Sequence, residues 1–269
     1  MQNRRWLHNR VTLLEFFITV NLGFLALDVF IAHSANAFVH NAEWIPFIFS
    51  LIASPLLFLT LFSRHAQLNR LVGLAMGWLS VFIGIGGMLF HLKSQFFAEL
   101  TVISLVYTAP FIAPLSFAGL GLLLIMNHTV HTESVEWAKW LLFMAFAGFL
   151  GNFALSLCDH AQNGFFNWRE WIPVFTSAMA VGFLMTAIVD PGNVPFLRLC
   201  LVILGINGLT GMVGFYLHLA ADLSGVSPSV KDNFLYGAPV FAPLLFPNLA
   251  LLGALGIWDV IQKTNRSEF

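Results

Sequence analysis

Charge is sparse along long stretches of this chain, and those stretches are about as long as a lipid bilayer is thick. Apolar runs occupy residues 11–33, 44–62, 71–91, 100–126, 138–159, 171–189, 196–219 and 234–258. About 20 helical residues cross a hydrocarbon core. Only 9% of the residues are charged, while 58% are hydrophobic; soluble domains carry roughly 25% charged residues. Such a chain cannot cover its surface with water-compatible groups, so lipid must be its solvent. The expected fold is all-α, a polytopic membrane protein of about eight transmembrane helices joined by short loops. A net charge of -1 and the lack of any basic tract argue against a nucleic-acid partner. The expected partners are the lipid bilayer and other membrane or periplasmic protein subunits.

The basic residues set an expected topology. With the N-terminus inside, inner loops hold Arg4, Arg5, Arg10, Arg64, Arg70, Lys139, Arg198, Lys263 and Arg266, and outer loops hold only Lys93, Arg169 and Lys231. The excess of Lys and Arg inside places both termini in the cytoplasm, as expected for a bacterial inner-membrane protein. Arg4-Arg5, the first apolar run and Ala35-Asn36-Ala37 together have the layout of a secretory signal. The run exceeds the roughly 7–15 residues of a signal core and has a counterpart later in the chain, so it is expected to stay as the first span. Cys158 and Cys200 fall at opposite membrane faces in this topology, about 30 Å apart and beyond the reach of a disulfide. Both read as packing residues.

The chain also repeats itself. Residues 33–50 read HSANAFVHNAEWIPFIFS and residues 160–177 read HAQNGFFNWREWIPVFTS. At one constant offset His33 meets His160, Asn36 meets Asn163, Phe38 meets Phe165, and Glu43-Trp44-Ile45-Pro46 meets Glu170-Trp171-Ile172-Pro173. The same offset carries Gly84 to Gly211, Gly87 to Gly214 and His91-Leu92 to His218-Leu219. After a two-residue insertion, YTAPFIAPLSF (107–117) meets YGAPVFAPLLF (236–246). Collinear matches in His, Glu, Trp and Pro are not the chance likeness of apolar helices. The expectation is a tandem duplication of a four-helix unit, residues 1–130 and 131–269. Because each unit has an even number of spans, the copies run in parallel, related by an axis along the membrane normal.

Polar residues cluster where chemistry would sit. His8, His65, His128 and His131 fall in inner loops and read as solvated. His33, His40, His91, His160 and His218 fall at the outer ends of odd-numbered spans or just beyond. Were the first helix to continue, His33, Asn36, His40 and Glu43 would share one face, and His160, Asn163, Asn167 and Glu170 would do so in the second copy, with Asp159 adjacent. Were it to stop, Glu43 would become the first-turn acid of the second span, where a carboxylate suits the helix N-terminus.

Imidazole and carboxylate suit zinc, copper or non-haem iron, with His33, His40, Glu43, His91, His160, Glu170 and His218 as candidate ligands. Paired histidines in a four-helix bundle equally suit a b-type haem, with His33 and His91 in one copy and His160 and His218 in the other. Asp28, Asn36, Asp159 and Asn163 are candidate supporting residues. Asp28 sits inside the first span, where a carboxylate costs roughly 2.5–3.5 kcal/mol on insertion scales; its matched position is Leu155. No cysteine is matched between copies, which argues against a soft copper(I) relay. The alternative to ligation is that interfacial His, Asn and Glu anchor helix ends among the headgroups. Asp222, just past His218, reads as a loop residue.

Pro110 and Pro114, like Pro239 and Pro243, lie four apart within the fourth and eighth runs. Each removes a helical hydrogen bond, so both spans are expected to kink, with Tyr107 and Tyr236 near the break. The expected function is an outward-facing histidine site in a redox or electron-transfer membrane subunit of a larger complex. Two alternatives stand beside it: a small-solute or ion transporter, drawing on Asp28 and the broken helices, and a structural subunit without cofactor.

Overall fold

The computed structural model describes residues 10–267, with side chains as far as residue 264. Arg4, Arg5 and His8 lie outside the described residues, as does the side chain of Arg266. Every regular element among the described residues is helical. The helices are α1 (Arg10–Ser34), α2 (Trp44–Thr60), α3 (Ala66–Lys93), α4 (Phe96–Glu99), α5 (Val102–Tyr107), α6 (Leu115–Thr129), α7 (Val135–Gln162), α8 (Trp171–Val189), α9 (Val194–Leu223), α10 (Val230–Tyr236) and α11 (Leu245–Ser267). Short 3-10 turns at Asn41–Glu43, Trp168–Glu170 and Ala242–Leu244 lead into α2, α8 and α11.

Seven of these segments are long and apolar enough to cross a membrane: Arg10–Ser34, Asn41–Thr60, Ala66–Lys93, Val135–Gln162, Trp168–Val189, Val194–Leu223 and Ala242–Thr264. Much of their apolar surface faces outward; Phe16, Phe24, Ile52, Phe82 and Leu209 are all exposed. Water would penalise that surface, and hydrocarbon would not. The protein is therefore an integral membrane protein in a lipid environment.

The run 100–126 is not one kinked span. α5 stops at Tyr107, the chain leaves helical geometry through Pro110, and α6 begins only after Pro114, with 15 residues. The run 234–258 breaks in the same way, from Tyr236 through Pro239 to the turn at Ala242–Leu244. Two prolines four apart take away two consecutive ladder bonds and clash with the preceding carbonyls. The residue before each proline is also driven out of the α region. A single proline kinks a helix; this pairing ends one.

The chain divides into two compact units. Unit 1 holds the chain up to Gly84, Phe117–Thr132 and His218–Val240, and unit 2 holds Ile85–Ser116, Glu133–Leu217 and Phe241 onward. Each unit thus takes one segment from the other half of the sequence. The units follow packing, whereas 1–130 and 131–269 describe sequence repeats.

In unit 1, α1 lies against α2, where Ser54 Oγ donates to the Thr19 carbonyl at 3.0 Å. The α3 and α6 backbones meet at Gly77 and Gly121: a Cβ added to Gly121 would stand 2.5 Å from the Gly77 carbonyl oxygen. Ser80 Oγ donates to the Phe117 carbonyl at 2.7 Å across the same seam. Asn127 Nδ2 ties the end of α6 to the Val11 carbonyl at 3.1 Å. The short helix α10 packs on α1.

In unit 2, α7 is the central helix, packed on both α8 and α11 and bearing the fully buried Trp137 and Phe149. α5 packs on it as well, with Gln162 Nε2 donating to the Val106 carbonyl at 2.7 Å. Lys263 on α11 donates to the Ser134 carbonyl and pairs with the buried Asp259 one turn earlier.

Candidate functional site

The corner after α1 is built by the residues that the sequence repeats. α1 ends at Ser34, so the face formed by 33, 36, 40 and 43 does not exist. The helix closes with the Phe38 N–H on the His33 carbonyl at 3.1 Å and the Ala37 N–H on the Ser34 carbonyl at 3.2 Å, a C-terminal closure that takes left-handed backbone. Ala37 (φ 57°) and Phe38 (φ 52°) adopt it. A bulky residue at positive φ is costly and persists where its surroundings over-determine it. Here Phe38 stacks on Trp44, ring centroids 4.0 Å apart. Asn36 accepts the Phe38 N–H through Oδ1 at 3.3 Å and donates through Nδ2 to Glu43 Oε1 at 3.1 Å. Glu43 stands at the N-cap position of α2 without a side-chain capping bond, one residue ahead of the first turn in which the second sequence alternative places it. Its other oxygen, Oε2, is buried without a hydrogen bond and lies 3.7 Å from His33 Nδ1.

The corner after α7 repeats this arrangement. The Phe165 N–H reaches the His160 carbonyl at 3.1 Å, Gly164 (φ 69°) and Phe165 (φ 49°) are left-handed, and Phe165 stacks on Trp171 at 3.9 Å. His160 Nδ1 lies 3.8 Å from Glu170 Oε2, again buried without a hydrogen bond. The corners differ in detail: no hydrogen bond of the Asn163 side chain occurs among the described residues, and Asn167 instead accepts the Arg169 N–H at 3.1 Å. His40, the counterpart of Asn167, is exposed and makes no such cap.

Position 37 offers a direct test of the backbone argument. Left-handed backbone costs a residue with a Cβ about 1–2 kcal/mol, of which glycine's extra chain entropy returns part. Ala37→Gly is expected to raise stability by about 0.5–1 kcal/mol, and Gly164→Ala to lower it similarly. Thermal unfolding midpoints in detergent check both.

His91 and His218 do a different job. Both lie near the C-terminal ends of long helices, and each turns Nδ1 onto a carbonyl in the broken segment: His91 to Pro110 at 2.9 Å and His218 to Pro239 at 3.0 Å. The broken segments also make backbone bonds to side chains. Thr108 Oγ1 donates to the His91 carbonyl at 2.8 Å, and Ser94 Oγ accepts the Ala109 N–H at 3.1 Å. In the second half the matching Ala238 N–H is taken by Asp222 Oδ1 at 2.9 Å. Asp222 is 2% exposed, a buried clamp and not the loop residue its position suggested. Only the adjacent unsatisfied N–H of the Tyr-x-Ala-Pro segment could have signalled that role.

The units regroup the histidines. His33 and His218 belong to unit 1, and His91 and His160 to unit 2. The sequence pairings His33 with His91 and His160 with His218 join residues of different units. Among the described residues no three of His, Cys, Asp and Glu gather into a group able to hold a metal ion. Asp28 and Asp159 are half-buried on α1 and α7 and make no hydrogen bond to another described residue. His128, read as a loop residue, is on the last turn of α6, 3.3 Å from Glu15 Oε1. No protein-family model, curated protein or solved structure matches this chain.

Proposed function

We propose that this protein is the membrane subunit of a redox complex, with its repeated histidines as the residues that would hold b-type haem, one site per unit. His33 and His218 would serve unit 1, and His91 and His160 unit 2. The observation that carries the reading is the common orientation of the rings. All four turn Nδ1 toward an oxygen of their own corner, a proline carbonyl at His91 and His218 and a glutamate at His33 and His160. A carbonyl only accepts, so Nδ1 carries the proton in His91 and His218 and the lone pair of the neutral ring is on Nε2. Histidines that ligate metals are oriented in this way, their other nitrogen held by a carbonyl or carboxylate. Glu43 and Glu170 then act as orienting partners and not as ligands. A haem suits scattered histidines better than a bare zinc, copper or iron ion, because the porphyrin supplies the remaining ligands.

Two further parts of the reading rest on the sequence. Corresponding contacts recur in the two halves, shifted by the two-residue insertion ahead of the broken segments, which supports a parallel duplication of 1–130 and 131–269. The distribution of Lys and Arg supports an inner-membrane protein with cytoplasmic termini and its histidines toward the periplasm.

The test is the absorption spectrum and metal content of the full chain purified from haem-replete cells. A Soret band with stoichiometric iron is expected. His91→Gln and His218→Gln keep an amide donor for the proline carbonyl but remove the ligand. Each variant should fold normally and lose the haem of its own unit. A wild-type chain with neither a Soret band nor bound metal would end this reading. It would leave the second one, a structural subunit whose histidines clamp helix ends; the bonds of His91 and His218 to the proline carbonyls of their own corners favour it.

A further inference from the structure

Apart from the histidines, unit 1 contains a cleft of about 550 Å³ between the end of α1, the corner that follows it and α10, within the 300–1,000 Å³ typical of ligand sites. Its walls are mostly apolar, with Phe30 and Ile31 from α1, Phe38 and Trp44 from the corner, and Phe234 and Leu235 from α10; Ser34 also lines it. One ionisable residue lines it, Lys231, and no carboxylate residue does. The matched position in the other copy is Val102, at the start of the equivalent short helix α5. The helix therefore folds without a cation at this point, and the amine serves no requirement of the corner. Lys231 is exposed on the first turn of α10, where a basic side chain relieves no helix-end carbonyl.

We propose that this cleft is a site for one anionic phospholipid, its phosphate on Lys231 and an acyl chain along the aromatic wall. Apolar walls and a single cation beside a membrane-crossing helix match the two parts of such a lipid. An ammonium adds a charge-assisted bond that a zwitterionic headgroup, with its own cation, partly cancels. The site does not depend on the haem reading.

Native mass spectrometry of the delipidated full chain, with phosphatidylglycerol or phosphatidylcholine of identical acyl chains added, tests it. One phosphatidylglycerol should remain bound, about tenfold tighter than phosphatidylcholine, a factor typical of one charge-assisted bond. Lys231→Gln should erase that preference, Lys231→Arg should keep it, and Lys93→Gln should leave it unchanged. Inorganic phosphate at the same concentration should not displace the lipid, since it lacks the acyl chain. Equal retention of the two lipids, an unchanged preference in Lys231→Gln, or displacement by phosphate alone would each overturn the proposal.

Discussion

Replacing Gly121 with alanine should cost unit 1 about 1–3 kcal/mol, and leucine at the same place should leave little folded protein. The added Cβ would stand 2.5 Å from the Gly77 carbonyl oxygen and 2.9 Å from the Val81 backbone nitrogen. Backbone cannot rotate aside as a side chain can, so α3 and α6 would have to separate. Their separation would also stretch the Ser80 bond to the Phe117 carbonyl. Close approach of small residues is what holds helices together where lipid is as apolar as leucine, so the loss is not recovered by burial elsewhere. Gly211→Ala should behave likewise in unit 2, where the new Cβ would meet the Pro243 carbonyl oxygen and Pro247 Cδ, both at 2.5 Å. Gly119→Ala is the control: nothing lies within 4 Å of its Cβ position, and helix propensity favours alanine. Thermal midpoints and monodispersity in detergent decide it. A Gly121→Ala protein as stable as Gly119→Ala would show that the two helices do not touch there.

Asp222→Ala should be the second large loss, about 1–3 kcal/mol, because it takes the carboxylate acceptor away from the half-buried Ala238 N–H. The first half of the chain suggests the repair. There the matching N–H is met by Ser94 Oγ, and the residue aligned with Ser94 is Ala221. Ala221→Ser in the Asp222→Ala background should therefore restore about 0.5–1.5 kcal/mol, the net worth of one hydrogen bond. Hydrogen exchange at Ala238 gives a local readout beside the thermal midpoint. Failure of the serine to restore protection would mean that the two broken segments are held differently.

The membrane character and the corners were legible in the sequence for a physical reason. Lipid imposes length and apolarity on every span, and the contacts of His33 with Glu43 and of Phe38 with Trp44 recur in His160 with Glu170 and Phe165 with Trp171. What the repeat concealed was the kind of contact. Whether His33 and Glu43 share a helix face or meet across a turn depends on where α1 stops, and that stop is a left-handed pair, Ala37-Phe38, whose residues carry no stop signal. Gly164 at the matched position was the available hint. The broken segments look like kinks in the sequence because one proline alone only bends a helix, whereas two prolines four apart end it. Asp222 looks exposed in the sequence because its backbone partner lies sixteen residues further on. The grouping of His33 with His218 was beyond any linear reading, since it follows from which segments pack together.

That grouping has a consequence for how the protein is made. α1 acquires α10 as a neighbour only after α2 to α9 have all been made, and α5 must wait for α7. Insertion can proceed helix by helix, but each unit must wait for the segment it takes from the other half of the sequence. Pairings between such distant stretches of chain carry a high loop-closure cost and form late. The newly inserted first half is thus an open intermediate, its last apolar segments unclaimed, and a membrane chaperone or a second nascent chain would find its opportunity in that interval.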